Sequence, residues 1–221
     1  MLAMWTYIQT DNPVTARYVA SLEPVRPSDV ALSDIIQSLR SGPETETLDD
    51  WNSIRSLIDS LDDIYRDGSG NLVFHGEGRY SIAWPVRTPV QVTSGSIEGS
   101  GGDVFVCGDV PRGIVPLPLA SDEDTGFGWG YTGHGPGALY RALIRVALGD
   151  VPRKYDTEFH AAVKGSDKTL YGWIWHGFEW GRPFHVDWQD LARRVDVEMR
   201  WRRAYDELRA RAMEEEERRH P

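Results

Sequence analysis

A glycine-rich loop that leads straight into an apolar helix constrains this chain more than any other feature of its sequence. Residues 126–137 contain six glycines, with aromatic residues and a histidine between them, and an apolar segment then runs to Leu148. Glycine lets the backbone approach other groups closely, and the first N–H groups of a helix have no partner within the helix. We therefore predict a tight loop that ends at a helix N-terminus, with the helix spanning Pro136 to about Leu148 and closed by Gly149.

The composition is that of a folded protein with one ordinary domain or two small ones. The chain has 221 residues, of which 40% are hydrophobic and 11% aromatic, which is enough to bury a core. A net charge of −10 argues against direct binding to nucleic acid or to an anionic membrane, since both need a basic surface. The single cysteine allows no intrachain disulfide, and we identify no signal peptide and no apolar run long enough to span a membrane. We expect a cytoplasmic protein.

The N-terminal region, residues 1–68, is predicted to be mainly helical. A short strand is expected over 5–8, a helix beginning at Asn12-Pro13, and then a helical pair over 28–40 and 47–66. The pair is acidic, with ten carboxylates against three arginines between residues 28 and 67. An acidic helical face is usually just solvated, and the alternative is a surface for a basic partner. The candidate partner-binding residues are Asp49, Asp50, Asp59, Asp62 and Asp63.

Residues 69–120 are predicted to form a small antiparallel β-sheet. The hydrophobic period changes to two, which favours strands. A glycine-containing turn over 76–78 is expected to join the first two of them. Residues 94–102 are predicted to be a flexible loop because they combine glycine with serine. The expected strands span 72–74, 80–84, 86–92 and 103–110, with an edge-like extended segment over 114–119.

The C-terminal region, residues 121–221, holds the glycine loop and its helix. A short helix is predicted over 159–164, a strand over 169–180 because its aromatic residues alternate, and a long amphipathic helix over 187–217. On that last helix, Glu198 and its neighbouring carboxylates are expected to form surface ion pairs with the arginines between them. The predicted fold class is therefore α+β: an N-terminal helical pair, a small antiparallel sheet and C-terminal helices. The three regions can form one compact domain.

The glycine loop partly matches two nucleotide-binding motifs, but it completes neither of them. Residues 128–133 match G-x-G-x-x-G, but the acidic segment before them is not a strand, as a dinucleotide site requires. The glycine spacing of Gly130 and Gly135 resembles a P-loop, but Pro136 and Gly137 stand where lysine and a hydroxyl residue are needed. A dinucleotide-binding enzyme and a nucleotide hydrolase are both disfavoured.

The helix start itself can still bind a small anion through its free N–H groups and the positive end of the helix dipole. The alternative is that the glycines only build a tight loop that packs Trp129 and Tyr131 into the core. Both interpretations remain open from sequence. The candidate ligand-binding residues are Trp129, Gly130, Tyr131, Gly133, His134, Gly135 and Gly137.

No metal site, cofactor or catalytic set is predicted. The histidines lack ligand spacing, and the nearest approaches are His176 with Glu179 and His185 with Asp187. Cys107 lies in an apolar strand pattern and is more typical of a buried inert thiol than of a nucleophile. The aromatic run over 171–180 is more typical of core packing than of a platform for stacking bases.

A family resemblance is carried by the segment Trp129-Gly-Tyr-Thr-Gly-His-Gly-Pro-Gly-Ala-Leu-Tyr-Arg-Ala-Leu143. It resembles the signature of a small uncharacterised family found on phages, plasmids and other mobile elements. Members have an aromatic-Gly-aromatic-x-Gly-x-Gly-Pro loop that enters a Leu- and Ala-rich helix. The resemblance continues through residues 159–164 into the final helix, and the first 120 residues lie outside it. It implies an accessory role for a mobile element, in the cytosol of the host cell.

Three functional hypotheses follow, in order of preference. The first is a non-enzymatic accessory or inhibitor protein, such as an anti-defence factor, that binds a host protein through an acidic or aromatic surface. The second is a protein that binds or sequesters a nucleotide or other small anion at residues 130–137. The third is an enzyme, which would need convergent polar side chains around His134 or His176.

Overall fold

A computed structural model of the chain shows a mixed α+β fold, as predicted. The structure describes residues 6–8, 12–26, 29–30, 62–76, 79–82, 92, 94–108, 113–120, 124, 126–149, 159, 161 and 165–219. In these parts of the chain, helices pack with two antiparallel sheets. Among these residues, no helix is both long and apolar enough to cross a membrane.

The first sheet is built from the N-terminal half of the chain. Its order is β1-β5-β4-β3-β2, with every neighbouring pair antiparallel. The strands are β1 (Thr6–Ile8), β2 (Glu23–Val25), β3 (Asp63–Arg66), β4 (Leu72–Gly76) and β5 (Arg79–Ile82).

Strand β3 corrects the end of the helix predicted over 47–66. Ile64 pairs with Phe74 of β4 and is buried. The spacing of Ile64 and Tyr65 fits a helix as well as a strand. The segment is a strand because it pairs with β2 on one side and with β4 on the other. Residues 31–61, which include most of the predicted helical pair, lie outside the described residues, as does most of the strand predicted over 86–92.

The second sheet has the order β8-β7-β6-β9 and is also antiparallel. Strand β8 lies at an edge, as the prolines of the segment 114–119 predict. The strands are β6 (Ser96–Ser100), β7 (Asp103–Gly108), β8 (Gly113–Pro116) and β9 (Phe184–Asp187).

The flexible loop predicted over 94–102 is wrong, because strand β6 occupies an inner position of this sheet. Its glycines serve close packing. A Cβ on Gly99 would overlap the ring of Phe184, and a Cβ on Gly108 would lie 2.5 Å from the Cα of Gly95. The glycines that suggested a flexible loop are therefore needed because a ring or another backbone segment lies too close to leave room for a side chain.

The described helices are α1 (Pro13–Ala20), α2 (His134–Leu148), α3 (Leu170–His176) and α4 (Trp188–Arg219). Helix α1 begins as predicted, since the Asn12 side chain accepts hydrogen bonds from the backbone N–H groups of Val14 and Thr15. Helix α2 ends at Gly149, which has a left-handed φ of 77°. Phe159 and Ala161, within the short helix predicted over 159–164, have helical backbone.

Helix α3 replaces the strand predicted over 169–180. The Thr169 hydroxyl accepts a hydrogen bond from Gly172 N at 3.1 Å, which caps the helix. Leu170 and Ile174, four residues apart, are fully buried. The alternation of the aromatic residues suggested a strand, with a period of two. The side chains that are buried in the core instead recur with the period of a helix.

The second sheet is buried on both faces. Along β7, Val104 and Val106 face a large core formed with α2, α3 and α4. Phe105 and Cys107 face the opposite way and pack against Tyr18 of α1. Because Tyr18 also packs with side chains of the first sheet, α1 lies between the two sheets.

Candidate functional site

The glycine loop is held by backbone contact with α3 and with the segment between α3 and β9. Gly130 N donates a hydrogen bond to Ile174 O at 3.0 Å. Its φ is +74°, and a Cβ there would lie 2.6 Å from Trp180 N and 2.7 Å from Phe178 O. Any side chain would displace this backbone, so the close approach expected of a glycine loop is made to the protein itself.

Trp129 belongs to the core. It is 3% exposed, and its Nε1 donates a hydrogen bond to Arg182 O at 2.8 Å. Its ring meets that of Phe184 edge to face, with centroids 4.8 Å apart. Here the structure favours the scaffolding interpretation of the loop.

Tyr131 folds back over the loop while remaining 40% exposed. A Cβ on Gly128 would lie 2.5 Å from the Tyr131 hydroxyl oxygen, and one on Gly135 would lie 2.7 Å from it. These two glycines make room for the phenol. The interpretation in which the loop packs Tyr131 into the core therefore does not fit this residue, which is exposed.

The N-terminus of α2 is open at the surface. Gly133 and His134 are exposed, whereas Pro136 and Gly137 are buried. Gly133 occupies the cap position, and among the described residues no side chain caps the helix. The candidate ligand-binding residues therefore separate into a surface part, a half-buried part and a buried part. Tyr131, Gly133 and His134 are exposed, Gly130 and Gly135 are half-buried, and Trp129 and Gly137 are buried.

Asp124, just before the loop, does not add a free negative charge to this surface. Its side chain is 2% exposed and forms an ion pair with Arg141 of α2. Arg145, one turn further on, donates to Leu119 O at 3.4 Å. These contacts fasten the entry of the loop to α2.

Trp180 is the most exposed large aromatic residue beside the loop, at 74%. The other tryptophans of the 171–180 run are partly covered. The ring of Trp173 lies under the Arg194 guanidinium at 4.0 Å, and that of Trp175 is 4.3 Å from Tyr171. Core packing, as predicted, accounts for both of them and leaves Trp180 as the exposed aromatic residue of this run.

The predicted acidic surface is only partly within the described residues. Asp62 and Asp63 are exposed, and a carboxylate oxygen of each lies 3.9 Å from Nδ1 of His75. Asp49, Asp50 and Asp59 lie outside the described residues.

The histidine pairs considered as metal ligands do not form a site in the described part of the chain. His185 lies between Asp187 at 3.4 Å and Glu98 at 3.6 Å, and His176 is exposed. No group of three or more His, Cys, Asp or Glu side chains there is arranged to hold a metal ion. Cys107 is buried, and burial together with the charge of Glu98 raises the pKa of its thiol to about 12. A thiol with that pKa is a poor nucleophile at neutral pH.

One buried polar cluster was missed by sequence reasoning. Glu198 of α4, predicted to lie in surface ion pairs, is 0% exposed. Its Oε1 accepts a hydrogen bond from the Tyr140 hydroxyl at 3.0 Å, while its Oε2 has no partner among the described residues. Arg202, one turn along α4, lies 3.5 Å from the same hydroxyl and over the ring of Phe159. Residue 198 falls on the helical stripe of Leu191 and Val195, and that spacing was the available signal.

Burial is the main influence on Glu198 and raises the pKa of its carboxyl above the ordinary value. The Tyr140 hydroxyl, the backbone N–H groups of Tyr171 and Leu170, and the charge of Arg202 act in the opposite direction. The cluster joins α2, α3 and α4.

Comparison with known proteins adds one match. The sequence model of a family described as a domain of unknown function, DUF8307, matches residues 106–200. The chain is similar to that family from within β7 to the middle of α4. The matched stretch includes the glycine loop, Trp180, Tyr140 and Glu198. No curated protein and no solved structure matches the chain.

Proposed function

We propose that this protein is a non-enzymatic accessory protein that binds a partner protein through the aromatic surface at the glycine loop. We call Tyr131 and Trp180 the aromatic rim. The observation that carries the proposal is that Trp180 is 74% exposed, while its backbone lies in close contact with Gly130.

Exposed aromatic residues on a rigid frame are favourable for protein recognition. Tryptophan and tyrosine are enriched among the interface residues that contribute most of the binding free energy. Burying a large aromatic side chain contributes about 2 kcal/mol or more of hydrophobic free energy. Because Trp180 lies on backbone already fixed by close contact with Gly130, less conformational entropy is lost when a partner covers it.

A host protein as the partner is supported by the resemblance of residues 129–143 to proteins of phages and plasmids. An accessory protein of such an element acts in the cytosol of its host, for example by inhibiting a host defence protein. The acidic residues Asp62 and Asp63, which are exposed beside His75, support a version in which an acidic surface contributes to binding.

Affinity capture from a host lysate tests the proposal. Tagged wild-type protein is expected to retain a specific partner, and Trp180→Ala and Tyr131→Ala are expected to lose it. Leu148→Ala is the matched control, since Leu148 is also exposed, at 50%, but lies at the far end of α2. Capture that Trp180→Ala leaves unchanged would contradict the aromatic version. Capture unaffected by charge reversal at Asp49, Asp50, Asp59, Asp62 and Asp63 would contradict the acidic version.

A second candidate function is the binding of a nucleotide or other small anion at the N-terminus of α2. It is favoured by the exposure of Gly133 and His134 at a helix start that no described side chain caps. Thermal-shift measurements with nucleotides and inorganic phosphate separate the two functions. A rise in melting temperature that His134→Ala reduces supports anion binding, and an unchanged melting temperature with every ligand contradicts it.

A further inference from the structure

Strand β9 forms one edge of the second sheet, and among the described residues no strand lies on its outer side. Trp188 N donates a hydrogen bond to Gly95 O at 2.8 Å, which makes position 188 one that faces β6. Backbone groups that face inward and outward alternate along an antiparallel strand. Val186 therefore also faces β6, whereas the backbone groups of His185 and Asp187 face outward. Both of these outward residues are exposed.

The opposite edge of the same sheet is blocked by proline. Leu117 N donates a hydrogen bond to Val104 O at 2.7 Å, so Pro116 and Pro118 occupy the outward positions on either side of it. Proline has no N–H to offer to a neighbouring strand. At β9, the nearest proline is Pro183, at the outward position just before the strand begins. The open part of the β9 edge is therefore limited to its two outward residues.

The side chains of these outward residues lie on the face of the sheet that carries Glu98. His185 Nε2 is 3.4 Å from Asp187 Oδ1, and His185 Nδ1 is 3.6 Å from Glu98 Oε1. Glu98 is also paired with Arg17 at 3.1 Å. In the described part of the chain, His185 is the only basic partner of Asp187, whose side chain is 78% exposed. The carboxylate of Asp187 is thus accessible to a second basic group.

We propose that β9 pairs with β9 of a second copy of this chain, antiparallel and about a two-fold axis beside Val186. This register sets His185 of each copy opposite Asp187 of the other. The His185 C=O then accepts a hydrogen bond from the Asp187 N–H of the other copy, twice by symmetry. Each Asp187 carboxylate also meets the imidazole of the other copy. An axis beside His185 or beside Asp187 would instead set identical residues opposite each other and lose this pairing.

The expected dimer is weak. Phe184 and Val186 are already buried within one chain, so the pairing adds backbone hydrogen bonds and little apolar area. We expect a dissociation constant on the order of 0.1 mM. This surface does not use the side chain of Trp180, and the inference goes beyond the function proposed above.

Sedimentation equilibrium of the full chain between about 10 µM and 1 mM tests the proposal. The wild type is expected to pass from monomer to dimer over this range. Asp187→Pro is expected to weaken the dimer at least about tenfold, because it removes an outward N–H and leaves the hydrogen bonds to β6 intact. Asp187→Asn is the matched control: it keeps the N–H, loses the charge and should weaken the dimer less. Thermal melts check that both variants fold.

Disulfide cross-linking tests the register. Opposed residues of an antiparallel pair have Cα atoms about 5.5 Å apart, which is within the range for a disulfide. A mixture of His185→Cys and Asp187→Cys chains is expected to form a linked heterodimer, and each variant alone is expected to form little. Leu148→Cys, which is exposed on α2, measures cross-linking by random collision.

A chain that stays monomeric at about 1 mM would overturn the inference, as would a dimer that Asp187→Pro and Asp187→Asn weaken equally. Efficient cross-linking of His185→Cys alone would place the axis at His185 and overturn the register. Hydrogen exchange gives a further outcome. If a captured host protein protects the His185 and Asp187 amides of a monomeric chain, an extended segment of that protein is the occupant instead of a second copy.

Discussion

Gly130 and Trp180 lie backbone against backbone, so closely that a Cβ on Gly130 would stand 2.6 Å from Trp180 N. This contact joins the glycine loop to the segment that leads into β9. It fixes the backbone on which Trp180 stands and leaves its indole exposed. The loop therefore positions an exposed aromatic residue of the neighbouring segment.

Gly130→Ala is expected to destabilise the protein by about 3 kcal/mol, because a left-handed φ and a backbone overlap both oppose the new methyl group. Chemical denaturation measures the change. Gly149→Ala is the matched control, since Gly149 has a similar φ of +77° with nothing within 4 Å of the added Cβ. Its expected cost is about 1 kcal/mol, from the backbone conformation alone. Equal costs for the two variants would show that the Trp180 contact is unimportant.

Trp129→Ala and Trp180→Ala are expected to differ sharply in stability. Trp129 is 3% exposed and donates a hydrogen bond to Arg182 O, which the alanine variant loses. Its truncation should therefore lower the free energy of unfolding by about 3–5 kcal/mol. Trp180 is 74% exposed, and its truncation should change the free energy of unfolding by less than about 0.5 kcal/mol. Denaturant melts of both variants make the comparison. A large loss for Trp180→Ala would mean that the aromatic rim is a packing element.

Gly99→Ala is expected to destabilise the second sheet by about 1–3 kcal/mol, because the new methyl group overlaps the Phe184 ring. Phe184→Leu in the same chain should recover part of this loss by removing the edge of the ring. A double-mutant cycle on the free energy of unfolding measures the coupling. Strictly additive effects would disprove the contact as the reason for a glycine in β6.

Glu198→Gln is expected to stabilise the protein at neutral pH by on the order of 1 kcal/mol. Burial raises the pKa of Glu198 in the folded protein, so the contribution of Glu198 to stability is largest below the ordinary pKa of a glutamate. That contribution is lost as pH rises through the folded value, because the charged form is then buried. The amide keeps an acceptor for the Tyr140 hydroxyl and does not ionise.

Denaturation at a series of pH values measures this effect, with Glu214→Gln as the control because Glu214 lies in an exposed pair with Arg218. The difference between wild type and Glu198→Gln should grow from acid to neutral pH, and the control should follow the wild type. A constant difference would show that Glu198 does not change its protonation state on folding.

Two helix ends were correctly predicted from local capping signals. The start of α1 at Asn12-Pro13 and the end of α2 at Gly149 depend on capping contacts within a few residues. The edge position of β8 was predicted from Pro116 and Pro118, whose nitrogens cannot donate a hydrogen bond to a neighbouring strand. In the candidate site, the loop leads into a helix as predicted, but the helix begins at His134, two residues before the predicted start at Pro136. The partition of its residues into buried Trp129 and exposed Tyr131 could not be predicted, because both are aromatic residues between glycines.

The sequence by itself determined what depends on neighbouring residues: the α+β class, the loop-to-helix junction and the long final helix. Only the tertiary structure decided the elements whose partners are distant in the chain. Gly99 lies in a strand because β6 pairs with β7 and β9, and the Phe184 ring occupies the space that a side chain at residue 99 would need. Residues 170–176 form a helix whose buried side chains complete the core. The burial of Glu198 likewise required Tyr140 from another helix. The residues next to one another in the sequence determine turns and helix caps. Burial depends on contacts between segments that are distant in the sequence and come together only on folding.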